Sequence, residues 1–249
     1  MDASTKLMSS YYKDNELVKI DGYYRTSTGY NYSHLIFYEK FFFSPENVRY
    51  LQEAVEARRN WGLIISISYI LVIFCLQKYM KNRERYEMKG LLIVWNWLLA
   101  IFSIIASARI LPELYHVLRT QGFYASLCND DVLYGVFGHW SYAYTMSKIP
   151  ELLDTIFVVL RKHPLIFLHY FHHATILHFV YYWYPQAAST ALWFGTMNYF
   201  VHSFMYSYYA LKAMRVYVPK FVSMFITAIQ IIQKIAGLFL CMSTLYVKQ

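Results

Sequence analysis

The last 159 residues hold only 15 of the chain's 38 charged side chains, and ten of those 15 fall outside long apolar runs. An apolar run of about 20 residues is the length at which a helix crosses a bilayer. In lipid, a helix satisfies its own backbone polar groups. Six stretches of the required length are present: 61–79, 91–111, 132–160, 164–184, 187–211 and 221–247. The expected fold class is therefore all-α, a polytopic membrane protein with six transmembrane helices. Residues 1–60 form an N-terminal segment and 61–249 the membrane domain. Trp61, Tyr79 and Tyr184 sit where interfacial aromatic belts belong. With 57% hydrophobic residues and 15% charged, the chain is not disordered. Three cysteines do not make a disulfide scaffold. The net charge of +8, in a chain this apolar, points to basic loops at a membrane surface rather than to nucleic acid.

Lys and Arg counts set the orientation. The loops after the first, third and fifth spans carry Lys78, Lys81, Arg83, Arg85 and Lys89, then Arg161 and Lys162, then Lys212, Arg215 and Lys220. The alternate loops carry Arg119 and Lys248. The odd loops are thus expected in the cytosol and the N-terminus in the lumen. Arg49, Arg58 and Arg59 pull mildly the other way, whereas the sequon Asn31-Tyr32-Ser33 makes Asn31 a glycosylation candidate on the lumenal side. Residues 1–60 show no signal-peptide pattern. Ser44-Pro45-Glu46 reads as a helix start, and Val48, Leu51 and Val55 as the apolar stripe of an interfacial helix.

Ionisable groups inside a span are costly and mark function. The third span holds Lys148, Glu151 and Asp154, with Pro150 expected to disturb the helix. The fourth holds His169, His172 and His173, the fifth Asn198, His202 and Tyr206, and the sixth Thr227, Gln230 and Lys234. Spacings of three and four put each set on one helical face, whereas His178 points away. At about 1.5 Å of rise per residue, these groups lie roughly 8–14 Å below the cytosolic ends of four different spans. A shared level is the mark of a site opening to the cytosol, and a polar network serving only as helix glue would scatter in depth. Arg109 lies near the lumenal end and does not join the set.

Three chemistries compete for such a site. A metal reading uses His169, His173 and His202 as zinc ligands, although a di-iron oxygenase needs about eight histidines. A proton-coupled transporter calls for charges along a path and an inverted repeat, and neither is present. Nucleophilic catalysis cannot use Cys75, Cys128 or Cys241, none of which reaches the polar level. A neutral imidazole can carry an acyl group taken from a thioester at little energetic cost. A second imidazole then serves as base, and Asn198 or Gln230 steadies an oxyanion.

The motifs KxxELxDT (148–155), HxxHH (169–173), NxxxHxxMY (198–206) and TxxQ (227–230) occur in this order. In them the chain resembles the very-long-chain fatty acid elongases of the endoplasmic reticulum, from about residue 61 onward. The resemblance implies a 3-oxoacyl-CoA synthase. Such an enzyme condenses acyl-CoA with malonyl-CoA, releasing carbon dioxide and CoA, with no cofactor. Elongation-cycle reductases and a dehydratase would be its partners, and a homo-oligomer is allowed. It implies a helical barrel around an acyl tunnel. His172 and His202 become the nucleophile candidates, and His169 and His173 acid–base or orienting groups. Lys148, Glu151 and Asp154 would hold the network, with Asn198, Tyr206, Thr227 and Gln230 supporting it. The stretch 161–169 is most similar to the branch acting on saturated and monounsaturated chains. Family members usually have a seventh span, so an incomplete barrel with a truncated C-terminus is expected. A metal-dependent membrane lipid enzyme and an inactive truncated isoform are the alternatives, and a seven-helix receptor would not need the histidine box.

Overall fold

The computed structural model describes residues 19–20, 23–26, 28–128, 133–188 and 190–247. The N-terminal part forms a small antiparallel sheet, β1 (Lys19–Ile20), β2 (Tyr23–Arg25) and β3 (Asn31–Tyr32), in that order. Tyr24 pairs with Tyr32 and Arg25 with Asn31. Two short helices follow, α1 (Phe37–Phe41) and α2 (Pro45–Glu56). The second begins where Ser44 and Pro45 predict. Its Val48 and Val55 are buried and Leu51 is half-buried, so the expected stripe packs against protein.

The bundle then runs through α3 (Arg59–Met80), α4 (Lys89–Thr120), α5 (Gly122–Cys128), α6 (Gly135–Glu151), α7 (Leu153–Leu160), α8 (Phe167–Trp183), α9 (Ala191–Ala213) and α10 (Lys220–Val247). The six predicted spans fall on α3, α4, α6 with α7, α8, α9 and α10, although the first residue of the third, Val132, and the last two of the chain lie outside the described residues. Three helices are long and apolar enough to cross a membrane by length and composition: α3, α4 and residues 220–244 of α10. The chain is a multi-pass membrane protein. Of the remaining helices, α5 to α8 are shorter, and α9, 23 residues long, carries Asn198, His202 and several Tyr and Ser residues.

The third span is not one helix. Pro150 lacks an N–H and its ring crowds the preceding turn, so α6 ends at Glu151 and α7 restarts at Leu153. Leu152 N closes a tighter turn onto Ile149 O at 3.1 Å.

Two long helix pairs frame the interior, α3 against α8 and α4 against α9, with α6 between them. Lipid tails are as apolar as leucine, so close backbone approach and internal hydrogen bonds, rather than hydrophobic burial, select such contacts. Gly62 shows this: a Cβ there would lie 2.8 Å from Tyr181 Cβ on α8. One turn on, Ser66 Oγ reaches both Gly62 O and Ala174 O at 2.7 Å, tying α3 to α8. Tyr69, Ile73, Ile110, Phe137, Leu177 and Tyr199 belong to the common core.

The N-terminal segment is fastened to this bundle by buried polar groups. Glu39 is 0% exposed; it accepts from Trp140 Nε1 at 3.0 Å and from Arg109 Nε at 2.9 Å. Arg109 Nη2 donates to His34 O at 3.0 Å and also bonds Glu39 Oε2. Glu113, equally buried, accepts from Thr28 Oγ1 at 2.7 Å, and Tyr32 donates to Arg109 O. Burial, reinforced by Glu113, raises the Tyr32 phenol above its ordinary range, so it stays protonated and keeps donating.

Candidate active site

The site is assembled where α6 ends. Burying a lysine without a counter-charge is prohibitive, and Lys148, 2% exposed, has one. Its Nζ lies 2.7 and 2.9 Å from the two oxygens of Glu151 and 4.2 Å from the Tyr144 ring centroid. Ser147 Oγ donates to Glu151 Oε1 at 2.9 Å. The pair is one helical turn apart, so the spacing read from the sequence is realised as a local contact.

Lys148 Nζ also donates to Asn198 Oδ1 on α9, at 3.3 Å. An ammonium group only donates, so this bond fixes the orientation of the Asn198 amide. Nδ2 must then face His202, and it lies 3.2 Å from His202 Nε2. An amide N–H likewise only donates, so Nε2 is the unprotonated nitrogen of His202 and Nδ1 carries the hydrogen.

Asp154, displaced onto α7 by the break at Leu152, makes a second bridge. It accepts from Trp95 Nε1 on α4 at 2.6 Å and from Tyr206 OH on α9 at 2.7 Å. Asp154 therefore joins three helices.

The histidine box lies on α8. His169 Nε2 is 2.9 Å from Thr155 Oγ1, which is 2.6 Å from Tyr69 OH. His173 is buried, its ring centroid 4.6 Å from that of His169 and 5.7 Å from that of His172. The α8 box is thus joined to α7 through His169 and Thr155, its three rings lying in one cluster. Among the described residues, the His172 ring makes no hydrogen bond.

The other predicted residues lie apart. Gln230 Nε2 reaches Met205 Sδ at 3.1 Å, linking α10 to α9. Thr227 is exposed and bonds only Ser223 O of its own helix, at 3.0 Å. Asn31 is exposed, its side chain accepting from Arg25 Nε at 2.9 Å. Tyr69, Trp95, Tyr144 and Ser147 were not predicted; each sits on an apolar helix face where an aromatic or a serine gives no distinct signal. His169, His173 and His202 do not form a ligand set: among the described residues, no group of three or more His, Cys, Asp or Glu could hold a metal ion.

Beyond Asp154 and Tyr206, the helix ends converge on a pocket of about 270 Å³. Arg85, Lys89, Arg161, Lys212 and Arg215 line it, with Glu87 the one acidic residue among them. Arg161 follows Asp154 by seven positions, about 10 Å along a helix.

Comparison with known proteins bears on this arrangement. The chain is 46% identical to very long chain fatty acid elongase 6 of Drosophila melanogaster over 211 residues, covering 83% of this chain and 65% of that protein. It is 43% identical to putative fatty acid elongase 4 of Caenorhabditis elegans, covering 71% of this chain and 60% of that one. With very long chain fatty acid elongase 6 of Gallus gallus it shares 40% identity, over 80% and 74% of the two chains. It thus spans less than two thirds of the fly and nematode proteins. The GNS1/SUR4 (ELO) family matches residues 56–249. Those residues include every side chain of the Lys148–Glu151–Asn198–His202 network and of the α8 histidine box, and they make this chain a member of the GNS1/SUR4 family.

Proposed function

We propose that this protein is a fatty acid elongase whose reaction is the decarboxylative condensation of a long-chain acyl-CoA with malonyl-CoA, with residues 61–249 as the elongase domain. The observation that carries this reading is a pair of imidazole sources, one on α9 and one on α8. His202 is fixed by Asn198, whose amide is bonded to Lys148, and the α8 box supplies the His172 ring, unbonded among the described residues and 5.7 Å from that of His173. His172 is the nucleophile. Its ring nitrogen attacks the acyl thioester carbonyl; the C–N bond forms, the C–S bond breaks, and CoA leaves as the thiolate, which takes up the proton that the other ring nitrogen gives up. Malonyl-CoA then loses carbon dioxide. The electron pair of the broken C–C bond attacks the acyl-imidazole carbonyl; the C–N bond breaks, giving 3-oxoacyl-CoA, and the departing ring takes up a proton from water to restore the free imidazole. His202, with its unprotonated Nε2, and His169, through Thr155, are the acid–base and orienting groups.

The basic pocket suits the phosphates of CoA, which Arg and Lys bind by charge-assisted hydrogen bonds. The predicted orientation puts it, and the mouth of the site, on the cytosolic face of the endoplasmic reticulum membrane, with the N-terminal segment in the lumen. Reductases and a dehydratase would complete the cycle on the 3-oxoacyl product.

The test is release of carbon dioxide and CoA by the purified chain in lipid, with palmitoyl-CoA and labelled malonyl-CoA and without NADPH. Release with a 3-oxoacyl product, lost in His172→Ala, is expected. Mass spectrometry of the chain incubated with acyl-CoA alone should find the acyl group on the peptide containing His172. Acylation that persists in His172→Ala would move the nucleophile elsewhere. A folded chain that binds acyl-CoA without releasing CoA would overturn the reading.

A further inference from the structure

A second cavity, of about 540 Å³, lies on the flank of the bundle, between the C-terminal end of α3 and the loop joining α7 to α8. Its floor is apolar, made by Phe74, Met80, Val159 and Leu165. Its rim carries Lys78, Lys81 and Lys162, and among the described residues no Asp or Glu lines it. Among the described residues none of the three lysines has a salt-bridge partner. The rim is nevertheless built. Lys162 adopts a left-handed conformation, φ 55°, in a turn closed by His163 N on Val158 O at 3.0 Å. Its Nζ donates to Lys81 O at 3.3 Å. This bond ties the Lys162 ammonium to the C-terminal end of α3, above an apolar floor. The floor opens sideways rather than into the site: Phe74 is 46% exposed and meets Tyr170 of α8 edge-on, with centroids 5.6 Å apart.

We propose that this cavity binds an anionic phospholipid of the adjoining leaflet, its phosphate among the three lysines and its acyl chains along α3 over Phe74. The argument is charge complementarity joined to amphipathic shape. A cluster of ammonium groups lacking counter-anions matches a lipid phosphate, and the lipid-facing floor matches a tail, which a free nucleotide lacks. Basic residues beside an anionic leaflet gain binding energy from it. The site does not depend on the reaction proposed above. It bears on that reaction because Tyr170 and Leu165 flank His169, so a seated lipid holds the loop from which the histidine box starts.

Native mass spectrometry of the detergent-purified full chain, titrated with phosphatidylserine and with phosphatidylcholine, tests this. Phosphatidylserine should be retained preferentially. Lys78→Gln/Lys81→Gln/Lys162→Gln should lower its retention by about tenfold or more. Removing three charges elsewhere, Arg49→Gln/Arg119→Gln/Lys220→Gln, should leave retention unchanged. Equal loss in both triple variants would mean general electrostatic attraction and would overturn the site. So would displacement of phosphatidylserine from the wild-type chain by free CoA, a measurement that needs no variant to fold.

Discussion

Asn198 holds His202 in one tautomer: its Oδ1 is committed to Lys148 at 3.3 Å, so its Nδ2 faces His202 Nε2 at 3.2 Å. The lone pair of His202 therefore points at the amide, and its remaining hydrogen is on Nδ1. Asn198→Leu keeps the volume and removes both bonds. On the proposed reaction, kcat for CoA release should fall about 10- to 100-fold while KM for acyl-CoA changes little. An unchanged kcat would show that the tautomer of His202 does not matter.

The Lys148–Glu151 pair predicts a sharp asymmetry in stability. Removing one partner leaves the other charged and buried, at a cost of about 3–5 kcal/mol. Replacing both with apolar residues of similar size removes the buried charge altogether and should cost much less. Thermal unfolding in one detergent should therefore rank Lys148→Met well below Lys148→Met/Glu151→Leu. Additive losses in the double variant would mean that the two residues are not energetically coupled.

Tyr69 is linked to the histidine box through Thr155, at 2.6 Å, with Thr155 2.9 Å from His169. Tyr69→Phe deletes one buried hydroxyl and one hydrogen bond, worth about 1 kcal/mol. The expected result is a drop in kcat of less than about tenfold and a small fall in melting temperature. A loss as large as that in His172→Ala would make Tyr69 a direct participant.

Helix positions and the one-turn contacts within a helix were legible because 3.6-residue periodicity and the cost of charge in lipid act locally. Lys148 and Glu151, or Asn198 and His202, need only one turn of helix to meet. Pro150 likewise announced the break that carries Asp154 onto α7. Contacts between helices were not legible. Tyr69 and Trp95 look like ordinary apolar-helix aromatics until α7 brings Thr155 and Asp154 against them. Gln230 and Thr227 share the predicted depth, but the rotation of α10 aims one at Met205 and turns the other outward. Depth follows from counting residues; azimuth depends on what each helix packs against. The two- and three-residue strands β1 to β3 were missed because segments so short show no alternation.

Metal removal separates the condensing enzyme from a metal-dependent one. His169 is engaged with Thr155 and His202 with Asn198, and no cluster of three or more ligands forms among the described residues. Dialysis against a strong chelator should leave CoA release unchanged within error. Loss of activity restored by zinc would require the three histidines to regroup and would revive the metal reading.

The N-terminal segment should depend on Arg109. Glu39 is fully buried, and its carboxylate is satisfied by Arg109 and Trp140, with Ile36 N donating to it at 3.0 Å. Arg109→Ala removes the one cation bonded to that carboxylate among the described residues, and also the donor to His34 O. Glu39 must then take up a proton or pull out of the bundle, at a cost of about 3–5 kcal/mol. Because Tyr32, Thr28 and Glu113 are joined next to the same arginine, the strain falls on the whole attachment. Limited proteolysis should cut Arg109→Ala within residues 25–44 at protein-to-protease ratios that leave the wild type intact. Glu39→Gln, which keeps the shape without the charge, should restore protection when combined with Arg109→Ala. If Arg109→Ala resists cleavage as the wild type does, the segment is held by its apolar contacts through Phe42, Val48 and Val55 rather than by the ion pair.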